Sequence, residues 1–191
     1  MSDMPEVRPH AGASESPAPN QWYALHVRSR HEKVVAAQLE AKQQTVFLPL
    51  YQSRNQWRDR WKTVELPLFP GYVFCQIPPG RCSQVIATSG IIDVVRVGGK
   101  PAPVPPHEIE AVKLIAESRL AVEPYPSLAI GEAVMIRKGP LAGITGSLME
   151  VRNNLRLVVS VEILCRSVLV HIERSWAVPL TARAAAAPGN R

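Results

Sequence analysis

Two histidine–glutamate pairs, His31-Glu32 and His107-Glu108, come nearest to a catalytic metal motif in this chain. A zinc-hydrolase helix needs a second histidine four residues after the first, so that two imidazoles on one face grip the ion while the glutamate acts as general base. Those positions hold Val35 and Ala111, and neither pair completes a site. Gly98-Gly99-Lys100 lacks the hydroxyl residue and the spacing of a phosphate cradle, and there is no G-x-S-x-G nucleophile elbow. Cys75, Cys82 and Cys165 form an odd set without C-x-x-C spacing, which reads as reduced, mostly buried thiols. A Cys75 and His26 pair on neighbouring strands is conceivable, but a strand cysteine among apolar residues is ordinarily core. The carboxylates are scattered singly, with no pair assignable as acid and base. The sequence thus predicts no catalytic residue, no metal site and no cofactor, and the chain is read as a non-enzyme.

What remains is the chemistry of binding. Residues Arg54 to Lys62 interleave the cations Arg54, Arg58, Arg60 and Lys62 with Trp57 and Trp61. Such a pattern suits single-stranded nucleic acid, where rings stack on bases and cations follow phosphates. The alternative places both tryptophans over the edge of the core beneath solvated arginines. Arg28, Arg30 and Lys33 crowd the expected start of a helix, where the dipole disfavours cations. Phosphate contact is one reason for them, a solvated basic patch another. The stretch Leu66 to Ile77 joins a Pro-Gly turn to a strand whose alternation sends Tyr72, Phe74 and Gln76 to one face and Val73, Cys75 and Ile77 to the other. Both faces are largely apolar. Either the strand is covered on both sides by its own domain, or Phe69, Tyr72 and Phe74 form an aromatic floor for a partner's helix.

These residues need elements to position them. Alternation from Trp22 to Val27 predicts a first strand, with Trp22, Ala24 and His26 on one face. Ser29 and Glu32 form a capping box before a helix reaching about Gln43. Val46 to Tyr51 reads as an edge strand because Pro49 cannot donate to a central ladder, and a hairpin follows. A short helix over Arg81 to Thr88, a strand over Ile91 to Val97 and a helix from Pro106 to near Arg119 complete the first unit. The order β-α-β-β-β-α-β-α favours a mixed or antiparallel sheet covered by helices over a doubly wound one.

Beyond Glu123 to Ser127, a proline-stiffened linker, the pattern changes to short strands: Val134 to Arg137, Thr145 to Val151, Leu155 to Val161 and Ser167 to Ile172. That spacing predicts a small β-barrel. The chain has 191 residues and a 46% hydrophobic content, enough for two small cores. No run reaches the length of a membrane span and no leader pattern opens the chain, so a cytoplasmic location without membrane contact is expected. Of the net charge of +6, residues 21–120 carry +5 and residues 128–180 carry +2, the tails and linker being slightly acidic. The basic excess of the first unit suits a polyanion.

Trp22-Tyr23, then Leu68-Phe69-Pro70-Gly71-Tyr72-Val73-Phe74, then Gly131-Glu132 through Val134-Met135-Ile136-Arg137-Lys138-Gly139-Pro140-Leu141-Ala142-Gly143-Ile144-Thr145-Gly146, resemble in order the N-terminal domain and KOW motif of the NusG family of transcription elongation factors. The resemblance implies an α+β protein. Its parts would be a tail (1–20), an NGN-type RNA polymerase-binding domain (21–120), a linker (121–127), a KOW, SH3-like β-barrel (128–180) and a frayed tail (181–191). It implies docking of Phe69, Tyr72, Phe74 and His26 on the polymerase clamp helices, and a gate-loop contact near Arg81, Cys82 and Ser83, although the His-Thr-Thr pattern of the RfaH-like branch is absent. It also implies that Arg28, Arg30, Lys33, Arg54, Trp57 and Arg58 face the non-template DNA strand. In the barrel, Leu141, Ile144 and Leu164 would meet a further partner, for which a small-subunit ribosomal protein is the expectation. The departure at Ile163 to Val168 from the family's Phe-Gly-Arg-x-Thr-Pro weakens the case for Rho.

The tryptophan-bearing tip is similar to operon-specific, RfaH-like or polysaccharide-operon paralogs. The implied activity is that of a monomeric antitermination factor bridging the polymerase cleft. Two alternatives stand beside it: a housekeeping NusG working with Rho and the ribosome, and a ribosome-associated RNA-binding KOW protein.

Overall fold

The computed structural model describes residues 19–57, 60–125, 131–151 and 154–180. The expected tails, save residues 19 and 20, lie outside the described residues, as do Arg58, Asp59 and the last two residues of the expected linker. Among the described residues no helix is long and apolar enough to cross a membrane.

The first unit is built on an antiparallel sheet of order β2-β5-β1-β6, comprising β1 (Gln21–Val27), β2 (Thr45–Phe47), β5 (Tyr72–Ile77) and β6 (Ile91–Val94). In the β1–β5 register Tyr23 lies opposite Cys75, Ala24 opposite Phe74 and His26 opposite Tyr72, so alternation sorts the side chains into two faces. On one face Tyr23, Leu25, Val27, Val73, Cys75 and Ile77 pack against Val35, Ala36 and Leu39 of α1 (Glu32–Ala41) and Cys82 and Val85 of α2 (Cys82–Ile86). On the other, Ala24, Leu68, Phe69 and Phe74 share a cluster with Ile109, Val112 and Ile115 of α3 (Pro106–Glu117). The i, i+3, i+6 spacing of those α3 residues lines one side of the helix, and Pro106 opens it where its missing N–H costs nothing.

Local chemistry overrides the sequence reading in four places. The edge strand expected over Val46 to Tyr51 is divided at Leu48-Pro49 into β2 and β3 (Leu50–Trp57). Pro49 ends one ladder, and β3 pairs with β4 (Arg60–Pro67) from Leu50↔Pro67 to Trp57↔Arg60, a longer hairpin than anticipated. The strand expected over Ile91 to Val97 breaks after Val94, and β7 (Arg96–Val97) folds onto β8 (Lys100–Pro101) around Gly98 and Gly99, both at positive φ. The capping box is not made: the residue before α1 is His31, no side chain caps the helix, and Glu32 is used elsewhere.

The fourth place is the expected linker, part of which is a strand. Val122–Tyr125 is strand β9, paired antiparallel with β13 (Arg166–His171), with Val170↔Val122 and Ser167↔Tyr125 in register. It is the outer member of a six-stranded antiparallel sheet of order β14-β10-β11-β12-β13-β9, the KOW-like barrel, whose other strands are β10 (Glu132–Ile136), β11 (Thr145–Val151), β12 (Asn154–Val161) and β14 (Ala177–Pro179). The stiff Pro-containing segment that reads as a spacer satisfies the open edge of β13 instead, and Pro124 is tolerated because β9 is itself an edge. Arg156 on β12 adds an ion pair to Glu123 at 2.8 Å. The covalent connection between α3 and the barrel sheet is thereby cut to residues 118–121.

Within the barrel, Gly146 lies where β11 crosses β12: a Cβ there would stand 2.5 Å from the Val158 carbonyl oxygen and 3.0 Å from Leu157 Cδ1. Gly146→Ala should therefore force the two backbones apart and destabilise the barrel by about 1–3 kcal/mol, the usual range for overpacking. Calorimetry of the full chain should register it as a lowered melting transition, and an unchanged one would show that the strands separate freely.

Candidate functional site

The aromatic turn is held from two sides. Gly71, at φ 84, occupies a left-handed conformation that a side chain would strain. The Val27 N–H donates to the Gly71 carbonyl at 2.9 Å, and the Tyr72 N–H donates to the Phe69 carbonyl at 3.1 Å, closing the turn against β1. The Gly71 N–H in turn donates to Glu32 Oε1 at 2.8 Å. Glu32 is buried in the first turn of α1, and a carboxylate accepting a backbone N–H there makes a strong, short hydrogen bond. Its sequence signal was the glutamate of a capping box, a pattern that names the right residue and the wrong partner.

From this turn the rings run in a chain. Phe69 meets Phe74 edge-on at 5.6 Å, Phe74 lies 6.1 Å from Phe47, and Phe47 meets Trp22 at 6.5 Å. Lys113 of α3 places its ammonium 4.7 Å from the Trp22 ring centroid, so α3 crosses the far end of this face. At the near end the His26 and Tyr72 rings are 5.5 Å apart. Of the four expected docking residues, Phe69 and Phe74 are 1% and 0% exposed, Tyr72 is half-buried and His26 is exposed. The structure brings all four together, with two as the floor and two as the rim.

The barrel meets this face. The Arg166 guanidinium of β13 stands 5.6 Å from the Tyr72 ring centroid. Helix α3 contacts β1 on one side and β12 on the other, and a single apolar cluster runs from Phe69 and Phe74 through α3 to Val134, Ile136, Leu157 and Val168 of the barrel. Arg166 carried no signal in the sequence, since nothing in a strand pattern says which side of a barrel meets another domain.

The remaining expected residues divide. Arg28 and Arg30 are exposed beside α1, and Arg30 sits at φ 63. Lys33 is paired with Glu65 of β4 at 3.6 Å, which supplies a reason for it other than phosphate. Arg54 and Trp57 lie on β3, whose side chains there are outside the described residues, as is Arg58 altogether. Arg81 and Ser83 are exposed at the start of α2 while Cys82 points into the core. Leu141, Ile144 and Leu164 are buried within the barrel cluster and present almost nothing to a partner in this arrangement. Cys75 lies on the face opposite His26, so the two form no pair, and burial with the nearby Cys82 pushes its thiol up to about 11, leaving it protonated and inert.

Residues 20–113 match the family model described as "Transcription termination factor nusG". The transcription termination/antitermination protein NusG of Staphylococcus aureus (strain Mu50 / ATCC 700699) is 26% identical over 178 residues, covering 84% of this chain and 96% of that protein. The same protein from strain N315 matches with the same figures. A solved structure of Thermotoga maritima NusG, concerned with its domain interaction, aligns with a TM-score of 0.55 at 20% identity, over 86% of this chain and 99% of that one, a likeness of fold.

Removing the acceptor at Glu32 should free the turn without touching an aromatic ring. Glu32→Ala is expected to cost about 1–3 kcal/mol, the penalty for stranding a partly buried donor. It should also speed amide exchange at Gly71 far more than at Val73, and equal exchange in variant and wild type would remove Glu32 from its anchoring role.

Proposed function

For a chain that belongs to the NusG family of transcription termination and antitermination factors, we propose that the rim of His26 and Tyr72, floored by Phe69 and Phe74, docks on the clamp helices of RNA polymerase. The observation that carries this is the doubly anchored Phe-Pro-Gly-Tyr turn, which holds one aromatic ring half-open beside an exposed imidazole on a rigid sheet. Rings on a preorganised backbone bring large contact area at little ordering cost. Arg81 and Ser83 at the start of α2 then approach the gate loop on the other side of the cleft. Arg28 and Arg30, with Arg54, Trp57 and Arg58, contact the non-template DNA strand. Bridging both sides of the cleft favours the closed polymerase, so pausing and termination fall at the operons where this specialised, RfaH-like paralog acts. The barrel recruits a further partner, for which a small-subunit ribosomal protein is favoured over Rho, and the factor works as a monomer.

The docked barrel qualifies this mechanism. Arg166 covers part of the Tyr72 ring, so a clamp helix and the barrel compete for one surface, and the apparent affinity for polymerase is reduced by the fraction of molecules with the barrel in place.

The test is binding to a reconstituted elongation complex. Phe74→Ala is a poor probe because emptying a fully buried phenylalanine site costs about 3–5 kcal/mol of folding stability. Tyr72→Ala combined with His26→Ala removes the rim together with the Arg166 contact, and should still weaken binding by at least about tenfold, as removal of an interface anchor does. Undiminished binding by this variant would return the rim to a structural role. Arg166→Ala should act in the opposite sense, tightening binding by about two- to fivefold as a cation–π contact holding the barrel is lost. Weaker binding by Arg166→Ala would mean that the barrel assists docking instead of opposing it.

A further inference from the structure

The domain interface contains a carboxylate that neither the aromatic turn nor the barrel core requires. Glu108 lies in the first turn of α3 and is 6% exposed. Its Oε2 is buried without a hydrogen-bond partner. A groove of about 560 Å³ between α3 and the barrel is lined by His107, Glu108 and Glu110 from the helix and by Glu162, Ser160 and Thr145 from the barrel side. The charged groups here are two further carboxylates, Glu110 and Glu162, and one imidazole. Burial, followed by the Glu162 carboxylate, raises the pKa of Glu108, opposed only by a hydrogen bond from the Glu162 backbone N–H and by His107.

An ionised carboxylate in this position is held against its preference. Half of it has no partner, and a like charge stands across the interface. With the barrel lifted away the same side chain returns to water at the N-terminus of α3, where the helix dipole favours an anion. The two arrangements therefore differ in their affinity for one proton.

We propose that Glu108 couples docking of the barrel to proton uptake: the carboxylate favours release, and the neutral acid favours the docked arrangement. The direction follows from linkage. Glu108 holds its proton more tightly when docked, so the docked-to-released ratio rises as pH falls through the interval between the docked pKa and the ordinary carboxylate value of 4.5. Above that interval the ratio is low and flat, and below it high and flat. A single proton can change the ratio by at most about tenfold per pH unit. The coupling itself needs only the docked and released arrangements of the barrel, without polymerase; its consequence, that acid shields the polymerase-binding rim, rests on the reading above.

The experiment leaves polymerase out, so that it can fail independently of that reading. In the full chain the amide signals of Tyr72 and Arg166 report the docked population by NMR, followed from about pH 7.5 to about pH 4.5, a span reaching the ordinary carboxylate value. Wild type should show a several-fold rise in the docked-to-released ratio toward acid. Glu108→Gln, a neutral isostere, should be more docked than wild type at the upper end and lose the dependence. Glu162→Gln, which removes the like charge without touching Glu108, should displace the rise to lower pH and keep it. His107→Gln should keep it as well. A pH-independent ratio in wild type, a dependence that survives in Glu108→Gln, or one abolished by His107→Gln would each overturn the proposal.

Discussion

A sheet whose two inner strands are apolar on both faces has to be covered twice, and in this molecule the second covering decides everything else. Strands β1 and β5 bury one face under α1 and α2, which follow β1 and β5 closely in sequence and pack locally. The opposite face carries Trp22, Ala24, Phe47, Phe69 and Phe74, and α3 alone spans only part of it. Burial of apolar area is worth about 25 cal/mol per Å², so aromatic rings left in water are a standing incentive to find a cover. The barrel completes that cover, reaching Tyr72 through Arg166 and α3 through β12.

A cover of this kind cannot be as good as a core if the face beneath it is to be used. The direct contact at the rim is a guanidinium over a ring, about 0.5–1 kcal/mol at an exposed site, and the contact along α3 contains a carboxylate with an unpaired oxygen. Both are features that a well-packed interior excludes and that a separable interface tolerates. The short covalent connection compensates. With the barrel tied to α3, docking is intramolecular, and short tethers give effective concentrations of the order of millimolar, so a weak contact is still well populated. On the proposal above, these polar contacts offset part of the apolar contact that runs from Phe74 through α3 to the barrel, and so bring the released arrangement within reach of one proton or one partner.

The readable part of the sequence was that governed by period and local chemistry. Alternation placed Tyr72, Phe74 and His26 on one face, and the register confirms their neighbourhood, because a strand's side-chain period leaves no freedom. Pro106 and the spacing of Ile109 and Val112 marked α3 for the same reason. What was not readable depends on residues distant in sequence. Glu32 has the spacing of the reciprocal half of a capping box, but its carboxylate accepts from the partly buried Gly71 N–H, a donor far along the chain. For Lys33 the sequence leaves phosphate contact and a solvated basic patch open, and its exposed pairing with Glu65 depends on a hairpin far along the chain. Leu141, Ile144 and Leu164, expected to meet a partner, are buried in the cluster shared by the barrel and α3, since side chains of that size belong equally to a core or an interface and only the fold chooses. Glu108 carried the ordinary signal of a first-turn acid, and nothing in α3 announces that a second domain will desolvate it.

The pairing of β9 with β13 has a mechanical consequence. Prolines at 124 and 126 suggest a stiff spacer, and a spacer keeps domains apart; strand β9 does the reverse by consuming that length as the outer strand of the barrel. While β9 stays paired, the chain joining α3 to the barrel sheet is residues 118–121, which span at most about 14 Å when fully extended. If β9 leaves β13, the free segment runs from residue 118 to 131 and spans up to about 48 Å. The pairing that sets this reach is not strong: Pro124 contributes no donor, and the Glu123 to Arg156 ion pair engages a half-exposed glutamate, whose contribution solvent reduces to about 0–1 kcal/mol. The same four-residue strand thus closes the barrel edge and stores the tether, so the domains can separate widely only by opening that edge.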